Sequence, residues 1–364
     1  MEIRGIRLNN FRNYASLSLR PDEGLCVLTG ENAAGKTNVL EAIFLSSLGR
    51  SHRTCRDTEL IRSGEQGAYV GINVSTLGGM RRIETRIPAN ERKRVSIDGT
   101  PLARSGELLG CLNVVMFAPE DLSIVKDGPG ERRRFLDMML SKLRPSYYYS
   151  LQRYNAALRQ RNALLKDPAA DPKMLEPWDD QLALLGAGIV LARAEQIEKL
   201  AEIGATLHDA LSDGTEELTI GYRPNFMSED ASRLADLLRD ALYEASERDF
   251  RYGSTTVGPH RDDILLSLNG ADVRTFGSQG QQRTTALSLK LSELELIQDA
   301  LNDMPVLLLD DVFSELDKRR QRMLIEAVQG CQTFLTCTHL EQLEDAGAVT
   351  MQIYNVRDGQ VFEV

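Results

Sequence analysis

The sequence predicts an α/β fold that is interrupted by a mostly helical insertion. A short apolar run at Leu25–Leu28 leads through a glycine-rich loop into an apolar-faced helix at Asn38–Leu45. A second apolar run at Val306–Leu309 ends in two carboxylates. Between these regions, from about 110 to 250, apolar residues recur mainly at i, i+3 and i+4 spacing. The two apolar runs are typical of central parallel strands, and the intervening pattern indicates helices.

The glycine-rich loop reads G-E-N-A-A-G-K-T and fits the phosphate-binding pattern G-x-x-x-x-G-K-[ST]. Its glycines allow a tight turn in which backbone N–H groups converge on a polyphosphate at a helix N-terminus. We expect Lys36 to reach the β- and γ-phosphates of a nucleoside triphosphate, and the Thr37 hydroxyl to bind Mg²⁺. The predicted site comprises Gly30, Glu31, Asn32, Ala33, Ala34, Gly35, Lys36, Thr37 and Asn38.

The carboxylates after the second apolar run, Asp310 and Asp311, are predicted to reach the same crevice. The reason is that the carboxyl ends of parallel strands meet at one edge of a sheet. We expect Asp310 to hold Mg²⁺ and Asp311 to orient or deprotonate an attacking water. A further predicted strand at Thr333–Thr338 is followed by His339, which we expect to sense the γ-phosphate.

The N-terminal segments Glu2–Asn9 and Tyr14–Leu19 alternate apolar and polar residues, as paired strands do. Their tight connection carries Arg12 and Asn13. The pattern leaves open whether this arginine contacts a phosphate or stacks near a base.

A basic cluster lies in a predicted strand meander at Tyr69–Thr76, Arg81–Ile87 and Arg94–Asp98. Its members are Arg81, Arg82, Arg86, Arg92, Lys93 and Arg94. One interpretation is a surface for the phosphate backbone of DNA. The other is solvated charge on an edge strand, which discourages aggregation.

The formal net charge of −10 is divided unequally along the chain. Residues 1–166 hold 26 Lys and Arg against 17 Asp and Glu, a net of +9, whereas residues 167–364 hold 17 against 36, a net of −19. A local basic surface for nucleic acid and ordinary solvated helix faces explain this asymmetry equally well. The sequence predicts no membrane span, and five scattered cysteines favour a reduced, cytoplasmic protein.

The turn Ser278–Arg283, which reads S-Q-G-Q-Q-R, leads into a long predicted helix that ends near Leu301. It combines a hydroxyl, an amide side chain and the free N–H groups of a helix N-terminus. Such a turn is a second place where a phosphate can bind.

Together these motifs resemble, in order and kind, the nucleotide-binding heads of the ATP-binding-cassette class. The positions of its Walker A, signature, Walker B, D-loop and switch-histidine motifs are taken by Gly30–Thr37, Ser278–Arg283, Leu307–Asp311, Ser314–Asp317 and His339.

More narrowly, the chain is similar to the RecF family of DNA replication and repair proteins, from Met1 to about His339. The segments that carry this resemblance are Asn10–Tyr14, Ser51–Arg53, Gly128–Asp137, Gly258–Asp263 and Ser278–Arg283.

The resemblance implies an ATP-binding-cassette-type P-loop ATPase head with a mixed sheet, related to the heads of SMC proteins. The head would consist of residues 1–109 and 251–364, with a compact helical domain at 110–250. Two heads would close on two ATP molecules. Ser278, Gly280 and Gln281 of one subunit would then cap the γ-phosphate that Lys36 of the other holds, and Asp317 would lie at the nucleotide.

The resemblance also implies a homodimeric clamp on double-stranded DNA near single-strand gaps, acting with RecR and RecO to help load RecA. Weak, DNA-stimulated ATP hydrolysis would release the clamp. Two positions depart from the transporter pattern: Gln279 replaces a glycine of the signature, and Asp311 replaces the usual glutamate. Slow hydrolysis is consistent with the second departure.

Two other classes share part of the pattern. A transporter ATPase subunit is disfavoured by the roughly 240 residues between Lys36 and Ser278 and by the lack of an evident coupling helix. A P-loop metabolic kinase would account for the glycine-rich loop, but not for the Ser278 turn or the aspartate pair.

Overall fold

The computed structural model describes residues 1–228, 230–338, 340, 343 and 351–364. The chain divides into two compact units. Met1–Asp121 and Glu293–Val364 form the first, called here the head, and Leu122–Ser292 form the second, called the helical unit.

The strands, in chain order, are β1 (Glu2–Phe11), β2 (Tyr14–Leu19), β3 (Leu25–Thr29), β4 (Gly67–Thr76), β5 (Gly79–Pro88), β6 (Arg94–Ile97), β7 (Thr100–Pro101), β8 (Val114–Phe117), β9 (Leu218–Arg223), β10 (Asp263–Leu268), β11 (Ala271–Asp272), β12 (Val306–Asp310), β13 (Thr333–Cys337), β14 (Met351–Arg357) and β15 (Gln360–Glu363).

The α-helices are α1 (Lys36–Leu48), α2 (Ser123–Lys126), α3 (Pro129–Leu143), α4 (Pro145–Leu164), α5 (Glu176–Ser212), α6 (Leu234–Glu244), α7 (Ser246–Tyr252), α8 (Val273–Phe276), α9 (Gln279–Leu301) and α10 (Lys318–Ala327).

The head contains two sheets with α1 packed against strands of both. One sheet has the order β2-β1-β4-β5-β6-β7 and is antiparallel throughout. The other has the order β15-β14-β3-β13-β12-β8 and is parallel except for the β14–β15 pair. The predicted mixed sheet is therefore confirmed. The strands β12 and β13 are buried along their whole length, which explains why their sequences are apolar runs rather than alternating patterns.

The helical unit is built around α5, which packs against α4, α6 and β9. A three-stranded sheet of order β11-β10-β9 belongs to the same unit. Three arginines that are at most 5% exposed hold the unit together by ion pairs: Arg132 with Asp263, Arg161 with Asp179 and Asp249, and Arg193 with Asp137 and Asp262. The Gly258–Asp263 motif thus supplies two carboxylates to this buried network.

The boundaries of the two units differ from the predicted ones at 110 and 250. The insertion predicted at 110–250 includes β8, whereas this strand pairs in parallel with β12 in the head. At the other end, β10 pairs with β9, so the strand-like sequence after residue 250 stays with the helices. Both differences have one cause: periodicity indicates a strand but not its distant partner. Within the described part of the chain, no helix has the length and apolarity that crossing a membrane requires.

Candidate nucleotide-binding site

The glycine-rich loop Gly30–Thr37, called the P-loop from here on, connects β3 to α1. Its two glycines adopt backbone conformations that other residues rarely adopt. Gly30 has φ 145° and Gly35 has φ 119°. A Cβ atom would lie 2.3 Å from the Val356 carbonyl oxygen at Gly30, and 2.4 Å from Asn13 Nδ2 at Gly35. These positions therefore need glycine for both backbone and packing reasons.

The turn between β1 and β2 braces the P-loop from one side. Asn13 Nδ2 donates to the Ala34 carbonyl at 2.8 Å, and the Tyr14 hydroxyl donates to the Gly35 carbonyl at 3.0 Å. Asn38 Nδ2 in turn donates to Asn13 Oδ1 at 2.8 Å. The structure thus brings Asn13 and Asn38 together at the loop. Their observed contacts are with each other and with the loop backbone, and their predicted contact with a nucleotide stays a prediction.

The turn between β14 and β15 packs on the same loop, a feature that the sequence analysis missed. The Gly359 N–H donates to the Ala34 carbonyl of the P-loop at 3.4 Å. Gly359 has φ 71°, and a Cβ atom there would lie 2.6 Å from the carbonyl oxygen of Asn13, in the turn that braces the loop. The Asp358-Gly359 pair was an available turn signal, but its contact with the distant P-loop could not be inferred.

The ammonium group of Lys36 lies over the P-loop backbone. Its Nζ donates to the Gly30 carbonyl at 2.5 Å and to the Glu31 carbonyl at 2.9 Å. Burial lowers the pKa of Lys36, while Asp311 and Asp310 oppose that shift. A cation held at the mouth of the loop is suited to phosphate oxygens, which are stronger acceptors than carbonyls.

Thr37 and Asp310 meet at the ends of the P-loop and β12. Thr37 Oγ1 donates to Asp310 Oδ1 at 2.8 Å, and Thr336 Oγ1 donates to the same oxygen at 2.8 Å. Burial raises the pKa of Asp310, and the two hydroxyl bonds oppose this.

This hydroxyl and carboxylate fit Mg²⁺, which takes hard oxygen ligands and uses few protein groups beside phosphates and water. Among the described residues, no cluster of three or more His, Cys, Asp or Glu side chains is arranged to hold a metal. If Mg²⁺ binds with the nucleotide, Thr37 and Asp310 would hold it together with the phosphates.

The other predicted catalytic residues have different surroundings. Asp311 follows β12 with φ 51° and an exposed side chain, and its backbone N–H donates to Thr336 Oγ1 at 2.9 Å. Asp317 caps α10 by accepting from the Arg320 N–H at 2.9 Å. The predicted switch histidine, His339, lies outside the described residues.

Arg12 is held by a buried glutamate of α1 that the sequence analysis did not identify. Arg12 Nε and Nη2 donate to the two carboxylate oxygens of Glu41 at 2.8 and 2.6 Å, and the Ser51 hydroxyl donates to the same carboxylate at 2.5 Å. Glu41 is 0% exposed. Burial opposes its ionisation, but the bonds from Arg12 and Ser51 lower the pKa of Glu41. Contact between Arg12 and a nucleotide stays a prediction.

The signature turn, Ser278–Arg283, lies at the start of α9 in the helical unit. Ser278 N–H donates to Gln281 Oε1 at 2.8 Å, and Gln281 N–H donates to Ser278 Oγ at 3.2 Å. This reciprocal pair is a capping box. Ser278 and Gly280 are exposed, which suits a contact with another molecule.

The basic cluster lies on β5 and β6 and the turn between them, but four of its six cations contact carboxylates. The pairs are Arg81 with Asp98, Arg82 with Glu84, Lys93 with Asp57, and Arg94 with Glu91. Arg86 and Arg92 have no carboxylate partner among the described residues. The cluster is therefore less positive than the sequence suggests.

Comparisons with known proteins agree with this arrangement, in which the P-loop lies beside the strand β12 that ends at Asp310. Residues 2–361 match the family model of the RecF/RecN/SMC N terminal domain. The DNA replication and repair protein RecF of Lachnoclostridium phytofermentans is 44% identical over 364 residues, covering 99% of each chain. The chain belongs to the RecF family. RecF of Clostridium acetobutylicum is 40% identical over 364 residues, covering 100% of each chain.

Solved structures agree with membership of the RecF family. The recombination mediator protein RecF-ATP in the RecFOR pathway matches with a TM-score of 0.92 at 36% identity, covering 100% of this chain and 97% of that one. An SMC head domain from Pyrococcus furiosus, bound to the C-terminal domain of ScpA, matches with a TM-score of 0.58 at 17% identity, covering 100% of this chain and 95% of that one. The SMC likeness concerns the fold alone. The predicted family and fold class are confirmed.

Proposed function

We propose that this protein is an ATP-driven switch that binds DNA during recombinational repair of single-strand gaps. The observation that carries the proposal is the meeting of Lys36, Thr37 and Asp310 around one P-loop. Lys36 supplies charge for the β- and γ-phosphates, and the other two supply oxygens for Mg²⁺. Support comes from the RecF relative whose structure was solved with ATP.

ATP binding drives two copies together in this proposal. A P-loop covers one side of a triphosphate and leaves the γ-phosphate open on the other. The exposed Ser278 and Gly280 offer a hydroxyl and free N–H groups at a helix N-terminus, which suit that open side. Ser278, Gly280 and Gln281 of one copy therefore cap the nucleotide of the other, and Asp317 contributes to the same nucleotide site. The role predicted for His339, sensing the γ-phosphate, falls on a residue outside the described part of the chain.

The closed dimer clamps double-stranded or gapped DNA in the cytoplasm and acts with RecR and RecO to help load RecA. Asp311, exposed after β12, prepares the attacking water for hydrolysis. Turnover is weak and DNA-stimulated, and it opens the dimer and releases DNA.

Size-exclusion chromatography with light scattering tests the proposal on the full chain, without nucleotide and with ATP and Mg²⁺, each with and without gapped duplex. We expect monomers without nucleotide, and dimers on DNA with ATP. Lys36→Ala is the matched control, because it removes the side-chain cation of the P-loop and should leave the protein monomeric. ATP binding with no effect on DNA retention would instead favour a transporter subunit or a kinase.

A further inference from the structure

The signature turn is tied to a buried histidine through Glu216, a residue outside the nucleotide-binding motifs. Gln281 Nε2 donates to Glu216 Oε1 at 3.0 Å. The other carboxylate oxygen of Glu216 lies 3.1 Å from His208 Nε2, and His208 Nδ1 lies 3.0 Å from Ser288 Oγ. His208 and Ser288 are both 0% exposed. The chain of contacts therefore runs from an exposed turn to the interior of the helical unit.

This contact fixes the orientation of the Gln281 amide. A carboxylate can only accept hydrogen bonds, so the amide NH₂ must face Glu216. The amide oxygen must then face the Ser278 N–H, which donates to it at 2.8 Å. Without Glu216, the amide would keep the Ser278 N–H contact, which requires the oxygen at the same end, but it would lose the second contact that holds the NH₂ group in place.

The fixed amide in turn sets what the turn presents to solvent. Ser278 Oγ accepts from the Gln281 N–H at 3.2 Å, so the hydroxyl proton is left to donate. Gln279 and Gly280 lie in the first turn of α9, where backbone N–H groups have no acceptor within the helix. The two hydrogen bonds of the capping box hold Ser278 beside these N–H groups.

Three elements meet in this arrangement. His208 lies on α5, Ser288 lies on α9 seven residues after Gln281, and Glu216 lies in the connection from α5 to β9. Ser288 Oγ also donates to the Thr284 carbonyl at 2.9 Å, which ties the inner end of the chain to the same helix. The turn is thus held from outside its own helix as well as from within.

We infer that Glu216 is a positioning residue for the signature turn, anchored by His208, and that it keeps Gln281 and Ser278 in the geometry that caps a γ-phosphate. This inference rests on the proposed function for its consequence. The inference also has a local part, which is that Glu216 keeps the Ser278–Gln281 capping box formed. This part rests on the contacts alone.

Two variants and one control test the inference in the full-length protein. Glu216→Ala removes the acceptor, whereas Glu216→Gln retains an oxygen that can accept from Gln281. Glu217→Ala is the matched control, because Glu217 is an exposed acidic neighbour with no side-chain contact among the described residues. Hydrogen exchange over residues 276–286 without ATP reports the local part, and ATP-dependent association reports the consequence.

We expect Glu216→Ala to speed exchange at the Ser278 and Gln281 amides and to weaken association about 10- to 100-fold, the scale of a lost hydrogen bond to a charged group. ATP affinity of the monomer should not change. Glu216→Gln should restore association to within about tenfold of the unmodified protein, and Glu217→Ala should change neither readout.

Unchanged exchange in Glu216→Ala would overturn the inference, and so would faster exchange with unchanged association. If the unmodified protein does not associate with ATP, the proposed function fails instead, and the exchange measurement still decides whether Glu216 holds the turn.

Discussion

The Thr37 hydroxyl donates to Asp310 Oδ1 across 2.8 Å, although the two residues are 273 positions apart in the chain. This bond joins the first turn of α1 to the end of β12. It places a hydroxyl and a carboxylate where a divalent cation would meet the phosphates of a nucleotide bound by the P-loop.

Asp311→Asn should separate nucleotide binding from chemistry. The amide keeps the size of the exposed side chain but cannot accept a proton, so we expect hydrolysis to slow by about 10²- to 10⁴-fold. ATP binding and ATP-dependent association should persist. A phosphate-release assay checks the rate, and hydrolysis at the unmodified rate would show that the base lies elsewhere.

Arg12→Ala should destabilise the head, because the buried Glu41 carboxylate loses both hydrogen bonds from Arg12 and keeps Ser51 and the more distant Arg53, whose Nη1 lies 3.9 Å away. Breaking a buried ion pair in this way costs about 3–5 kcal/mol of unfolding free energy. The double variant Arg12→Ala/Glu41→Ala should lose less than the sum of the two single variants, since neither charge is then left alone. Denaturant unfolding measures all three, and strictly additive losses would argue against the pair.

DNA binding should depend on Arg86 and Arg92, which have no carboxylate partner in the described part of the chain, more than on the four paired cations. Arg86→Gln/Arg92→Gln should lower DNA affinity and reduce the salt-dependence slope by about 2, or about 1 for each lost phosphate contact. Arg81→Gln/Arg94→Gln is the matched pair, because both of these arginines already contact carboxylates. Equal, unaltered binding in both variants would identify the cluster as solvated strand charge.

His260 should make the helical unit sensitive to acid. Its Nε2 lies 3.0 Å from the Thr255 carbonyl and its Nδ1 lies 2.8 Å from the Tyr154 hydroxyl, a pattern that one ring proton satisfies. Burial lowers the pKa of His260 to about 4, so between the ordinary value of 6.5 and 4 the unfolded chain binds a proton that the folded chain does not. The stability from this group is present above pH 6.5 and is lost as pH falls toward 4.

The expected size of this loss is about 3 kcal/mol at most, from the pKa difference. Unfolding free energies of the unmodified protein and His260→Gln should therefore converge as pH is lowered from 7 to 4.5. Curves that stay parallel over this range would show that another group causes the acid sensitivity.

The local parts of the site could be predicted from the sequence, because each is a short pattern with one structural meaning. The β3–P-loop–α1 unit, the paired strands β1 and β2, and the aspartates at the end of β12 all depend on neighbouring residues. Glu41 could not be found this way. Its partner Arg12 is 29 positions away, and a single charge within an apolar helix gives no sign of which element it faces.

The same limit explains the other differences. The partners of β8 and β10 depend on pairing between distant strands, and the packing of Gly359 on the P-loop joins the two ends of the chain. The sequence overstates the positive charge of the basic cluster, because carboxylates that pair with it, such as Asp57 and Asp98, come close to it only in the folded sheet.

ATP should bring two copies of the protein together through the signature turn. Sedimentation velocity of the unmodified protein and Ser278→Arg, in ATP with Mg²⁺ and in ADP, tests this association most directly. We expect the unmodified protein to dimerise in ATP but not in ADP. Ser278→Arg should stay monomeric while binding ATP nearly normally, because in this proposal Lys36 and Thr37 bind the nucleotide of their own chain. Equal dimerisation of both proteins, or loss of ATP binding in Ser278→Arg, would contradict the claim.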